Sequence, residues 1–176
     1  MAALALLVLA GAPAQHHHGG GGLAPTSRCD AAMATACGRV QGGEARCHTC
    51  AGDAALLLTL ANAGVGFDCA SEAEISAVMR LGVPAARLLY ANPIKQPSHL
   101  KHACNVGVPL TVFDGEPELR KLAAVHPSCG LLLRIVVDDS QAQCVLSNKF
   151  GAQPADAADL LACAAGLGLH VAGVSF

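Results

Sequence analysis

Two charged residues interrupt stretches that are otherwise apolar, and their types and positions suit binding chemistry. Asp68 closes Val65-Gly66-Phe67 and is followed by Ser71 and Glu74, spaced as a capping box at a helix start, with Ile75, Val78 and Met79 forming the apolar helix face. That puts a carboxylate at the C-terminal end of a strand, facing a helix N-terminus, the edge where parallel α/β folds bind ligands. Arg134 divides Leu131-Leu132-Leu133 from Ile135-Val136-Val137. A guanidinium in a buried strand needs a carboxylate or an anion beside it. A core ion pair with Asp68 or Asp114 meets that need, and so does a ligand pocket. Glu74 is accounted for by its capping role.

Other reactive residue types have plainer readings. Cys47-His48-Thr49-Cys50 is a C-x-x-C, but a structural zinc site needs a second ligand pair, and Cys29 and Cys37 do not supply one. No metal is therefore expected. A redox pair is not expected either, because no strand-to-helix turn is legible there. His99 and His102 flank Lys101 on one helix and read as a solvated face. Asp138-Asp139-Ser140 opens a polar loop running to Lys149, of a length at which functional loops occur. The sequence contains no Ser/His/Asp triad pattern, phosphate loop or dinucleotide fingerprint.

Regular elements carry these residues. The periodicity predicts helices over 54–63, 72–81, 97–106, 116–125 and 155–167, and strands over 65–68, 87–91, 110–113, 131–137 and 170–176. Glycine followed by proline closes two of the helices, at Gly82-Val83-Pro84 and Gly107-Val108-Pro109. Strand follows helix with short connections and near-continuous apolar strands, which indicates an α/β chain with a parallel sheet covered by helices. Even spacing favours a (β/α) barrel, and spacing alone leaves a doubly wound sheet open.

Composition bounds the rest. A chain of 176 residues with 53% hydrophobic and 14% charged residues has material for one domain with a real core. A net charge of −2 and 3% aromatics argue against a nucleic-acid partner. Nine cysteines at irregular spacing, including Cys69, Cys104 and Cys163 in apolar runs, resemble reduced cytosolic thiols. Residues 1–45 differ in character. An apolar run ends in Ala12-Pro13-Ala14 like a secretory signal without a basic start, too short to span a membrane, and His16-His17-His18 and Gly19–Gly22 follow it. They are expected to lie outside the fold, with 46–176 as the domain.

A family resemblance rests on specific stretches: residues 66–75, Leu89-Tyr90-Ala91-Asn92-Pro93-Ile94-Lys95-Gln96, Phe113-Asp114-Gly115-Glu116, Leu133-Arg134-Ile135 and Val137-Asp138-Asp139-Ser140. Together they resemble the eukaryotic ornithine decarboxylases, pyridoxal-phosphate enzymes with an alanine-racemase-type barrel, over roughly residues 49–176. The resemblance decides for a (β/α)8 TIM barrel, here incomplete, with about five to six of its eight strands and the chain stopping inside it. It implies pyridoxal 5′-phosphate as cofactor, an ornithine-like substrate decarboxylated to putrescine, a homodimer, a cytoplasmic setting and no membrane partner. It places Asp68 and Arg134 in the cofactor pocket. The lysine that forms the family's Schiff base falls on Thr49, whose hydroxyl cannot do so, and the expectation is an inactive chain. The alternative is a binding protein like the family's antizyme inhibitors, with Lys101 and Lys121 as antizyme-contact candidates in the segment from about 97 to 120 and just beyond.

Overall fold

The computed structural model describes residues 9–10, 37–38, 46–48, 54–138 and 149–176. Strands β1 (Leu9–Ala10), β2 (Cys37–Gly38), β3 (Arg46–His48), β4 (Gly66–Cys69), β5 (Leu88–Tyr90), β6 (Leu110–Phe113), β7 (Gly130–Arg134) and β8 (Val171–Ser175) form one sheet in the order β1-β8-β7-β6-β5-β4-β3-β2. From β3 to β8 every neighbouring pair is parallel and follows chain order without reversal. That is the strand order of a (β/α) barrel rather than of a doubly wound sheet. The short β1 and β2 lie antiparallel on the two outer strands. Thr49, Cys50, His16-His17-His18 and loop residues 139–148 lie outside the described residues.

Helices α1 (Ala54–Asn62), α2 (Glu72–Arg80), α3 (Pro97–Val106), α4 (Glu116–Val125) and α5 (Ala157–Gly166) fill the intervals. They cover one face of the sheet. Alternate strand residues, Phe67, Cys69, Leu88, Tyr90, Phe113, Leu131 and Leu133, pack against them in two buried clusters with Ile75, Val78, Leu100 and Leu119. The opposite, inner face carries a third cluster of Leu89, Val112 and Leu132, with Ala91, Leu110 and Ala172 against it. This alternation is the period-2 consequence of strand pleating.

Local chemistry sets most boundaries. Ser71 caps α2, its hydroxyl accepting from the Glu74 amide at 3.3 Å. The returning carboxylate differs from the expected box: Glu74 accepts from the amide of Ala70, one residue before the cap, at 2.6 Å. Pro97 opens α3, and Gly107 closes it in the left-handed region at φ 79°. Strand β7 stops at Arg134, short of the expected 137. Beyond it the return segment takes over the backbone groups: Ala152 N–H donates to Arg134 O at 2.8 Å and Val136 N–H to Ala152 O at 2.9 Å. The last helix also starts later than expected, because Pro154–Asp156 forms a 3-10 turn before it.

Candidate functional site

The C-terminal edge of the inner face gathers the polar residues. Asp68 is the penultimate residue of β4, Arg134 ends β7 and Ser175 ends β8, at 3%, 6% and 0% exposure. Below them the inner face is apolar. Asp68 and Arg134 therefore share one face and one edge, with β5 and β6 between their strands. Arg134 and Ser175 are register partners across β7 and β8. The Ser175 hydroxyl is buried without a hydrogen-bond partner among the described residues.

The return segment after the 139–148 stretch braces this corner. Phe150 lays its ring 5.2 Å from the guanidinium carbon of Arg134. Gly151 N–H donates to Asp114 Oδ2 at 3.0 Å, so the carboxylate considered as an ion-pair partner of Arg134 anchors the segment. Gly151 has φ +104°, and a Cβ there would sit 2.8 Å from Val136 N. Only glycine lets the chain pass so close to β7.

A second polar cluster holds the loops at the same edge. The Lys95 ammonium donates to Val112 O at 2.7 Å and Asn92 O at 3.0 Å, and pairs with Glu118 Oε1 at 2.9 Å. Its Nζ lies 5.6 Å from the Tyr90 ring centre. Glu118 also receives the Lys121 ammonium at 2.6 Å, and Lys121 reaches the carbonyl of Lys95. Asn92 in turn donates to Ala70 O at 3.4 Å, tying the β5–α3 loop to the turn just after Asp68. Burial lowers the Lys95 pKa, and the Glu118 carboxylate opposes that shift. The Tyr90 phenol is pushed up to about 12, first by burial and then by the carboxylates of Glu118, Glu72 and Glu74.

Among the remaining candidates, Lys101 is exposed on α3, whereas Lys121 is partly buried and engaged as above. His99 and His102 are partly exposed, as a solvated face would have them. Both turn across the α2–α3 contact to Glu72, at 3.9 and 3.8 Å, and His102 Nε2 lies 3.1 Å from Ser76 Oγ. Among the described residues no group of three or more His, Cys, Asp or Glu is arranged to hold a metal. Sequence reasoning did not single out Lys95, Glu118 or Ser175. Glu118 left a signal, since it shares the buried face of α4 with Leu119 and Leu122. A carboxylate on an apolar helix face implies a buried cation. Ser175 left none.

Residues 47–176 match the pyridoxal binding domain of the pyridoxal-dependent decarboxylases. The chain is 51% identical over 127 residues to ornithine decarboxylase of Mus musculus, covering 72% of this chain and 28% of that protein. With ornithine decarboxylase of Neurospora crassa the identity is 48% over 131 residues, 74% of this chain and 26% of the relative. The chain thus spans little more than a quarter of these relatives. Among solved structures, the arginine decarboxylase of Paramecium bursaria Chlorella virus superposes with a TM-score of 0.71 at 37% identity, over 73% of this chain and 35% of that one. Ornithine decarboxylase from Entamoeba histolytica gives 0.65 at 29% identity, over 73% and 35%.

Proposed function

Because the chain belongs to the pyridoxal-dependent decarboxylase family, through that family's pyridoxal binding domain, we propose that it is of ornithine-decarboxylase descent and inactive as it stands. The observation that carries the proposal is the pairing of a retained pocket edge with a changed anchor. Asp68 and Arg134 are both buried on one face and at one edge of the sheet, with two strands between them, where the resemblance puts the cofactor pocket. The resemblance sets Thr49 at the position of the family's lysine.

These residues fit the wall of a pyridoxal-phosphate site and do not fit its covalent attachment. Bound in the family's enzymes, the cofactor supplies the electron sink for loss of a carboxylate. What this chain supplies is binding. Arg134 offers donors to an oxyanion, Asp68 offers an acceptor to a cationic nitrogen, and Leu89, Val112 and Leu132 beneath them exclude water. A threonine hydroxyl has no amine to condense with an aldehyde, so reaction of ornithine to putrescine and carbon dioxide is not expected here.

The test is release of labelled carbon dioxide from ornithine by the purified chain with added pyridoxal phosphate. No release above buffer is expected, and measurable putrescine formation would sink the proposal. A second reading, an antizyme-binding protein that regulates polyamine synthesis, is favoured by Thr49 and by the exposure of Lys101. Retention of purified antizyme by this chain, lost in Lys101→Glu, would move the reading there. A cytoplasmic setting belongs to either version, supported by the free thiols of Cys69, Cys104, Cys129 and Cys163. Cell fractionation checks it.

A further inference from the structure

The β7–β8 pairing contains an irregularity with a consequence for the site. Leu131 pairs with Val171 but Leu132 pairs with Gly173, so the register shifts by one residue at Ala172. Continued without that shift, the ladder would set Val174 opposite Arg134. With it, Ser175 takes that place and shares the inner face with the guanidinium. Irregularities of this kind re-aim side chains next to functional sites.

The re-aimed hydroxyl has no internal work. It is fully buried, yet Ser175 Oγ has no partner among the described residues. The backbone carbonyl of Ser175 is already used, accepting from Ile135 N–H at 2.9 Å. Unsatisfied buried polar atoms are few in native proteins and are costly without a compensating role. Packing does not call for a hydroxyl either, because Ala172 and Leu132 nearby on the inner face are apolar.

We propose that Ser175 contacts the ligand of this edge, its hydroxyl and the Arg134 guanidinium together holding a carboxylate or phosphate oxyanion. The proposal rests on the reading of this edge as a ligand site, and not on whether the chain decarboxylates ornithine. Two donor groups side by side select an acceptor, and a bound oxyanion satisfies the hydroxyl that the apo fold leaves unpaired.

Calorimetric titration of the full 176-residue chain with inorganic phosphate, acetate, pyridoxal 5′-phosphate and pyridoxal tests it. Binding of phosphate and of the phosphorylated cofactor over pyridoxal identifies a phosphate subsite, and binding of acetate alone identifies a carboxylate subsite. Ser175→Ala is expected to weaken the preferred oxyanion about tenfold while leaving the ligand-free melting temperature unchanged or higher. Arg134→Met is expected to abolish binding. If Ser175→Ala binds as the parent does, or if it melts lower without ligand, the serine is structural and the proposal falls. Ser175→Cys, nearly equal in volume, replaces the alanine variant should that one not fold. A folded parent chain that binds neither oxyanion also overturns the proposal, while the carbon dioxide assay independently decides the proposed inactivity.

Discussion

Lys95 and Glu118 meet 2.9 Å apart with side-chain exposures of 0% and 4%, joining the β5–α3 loop to α4. Neither residue lies on a strand, yet the pair fixes the edge that carries Asp68. Removing one partner strands a charge out of water, which typically costs about 3–5 kcal/mol. Glu118→Gln should lower the urea unfolding free energy by an amount of that order, and Lys95→Met by less, because Lys121 still pairs with Glu118. The double variant Lys95→Met/Glu118→Leu should recover much of the loss, because an apolar pair leaves no charge to desolvate. A double variant as unstable as the sum of the singles would show that the two groups do not act as a pair.

Alkaline pH should loosen the fold. Burial pushes the Cys129 thiol from 9.0 up to about 12, with Lys95 acting against the shift, and Tyr90 moves from 10.0 to about 12. Both folded values exceed the unfolded ones. Between pH 9 and 12 the unfolded chain has therefore released protons that the folded chain still holds, and stability falls as pH rises through that window. At about 1.4 kcal/mol per unit of pKa difference, the loss amounts to a few kcal/mol. Urea midpoints at pH 8 and 11 should converge in Cys129→Ala and Tyr90→Phe. The phenol of Tyr90 has no partner among the described residues, so its removal should cost little at pH 8.

Gly151 and Gly107 both have positive φ, at 104° and 79°, but only Gly151 is crowded. A Cβ at Gly107 meets nothing within 4 Å. Gly107→Ala should then cost roughly 1 kcal/mol, the conformational penalty alone. Gly151→Ala adds contact with the Ile135–Val136 backbone at 2.8 and 2.9 Å. It should cost about 3 kcal/mol or more and displace Phe150 from Arg134. Equal melting temperatures for the two variants would contradict the crowding.

Elements 97–106, 110–113 and 116–125 were legible to the residue in the sequence, because each has its own stop or start chemistry: Pro97 and Gly107, Pro109, and Gly115 before Glu116. Where strand ends and side-chain facing slipped, long-range pairing decided them. The end of β7 depends on Ala152 returning across it, and the aim of Ser175 depends on a register shift. Neither is encoded in local periodicity. The same holds for the site. Asp68 and Arg134 were visible as charges inside apolar runs, whereas Glu118 shows only that a buried cation must face it, and Lys95, in a loop with ordinary local surroundings, is not marked as that cation.

Lys101 and Lys121, equivalent in the sequence as basic helix positions, should separate on substitution. Lys101 points to solvent, and Lys101→Glu should leave stability within about 0.5 kcal/mol of the parent. Lys121 instead donates to Glu118 at 2.6 Å and to the carbonyl of Lys95. Lys121→Glu sets a like charge against Glu118 and withdraws one of the two cations from it. The remaining Lys95–Glu118 pair is weakened by that repulsion, and a loss of about 2 kcal/mol or more follows. A binding defect in Lys121→Glu would thus report on the fold of the edge as much as on contact with a partner. Thermal melts of both variants, run beside any antizyme titration, decide between the two: a Lys121→Glu protein that melts with the parent would return that lysine to the surface.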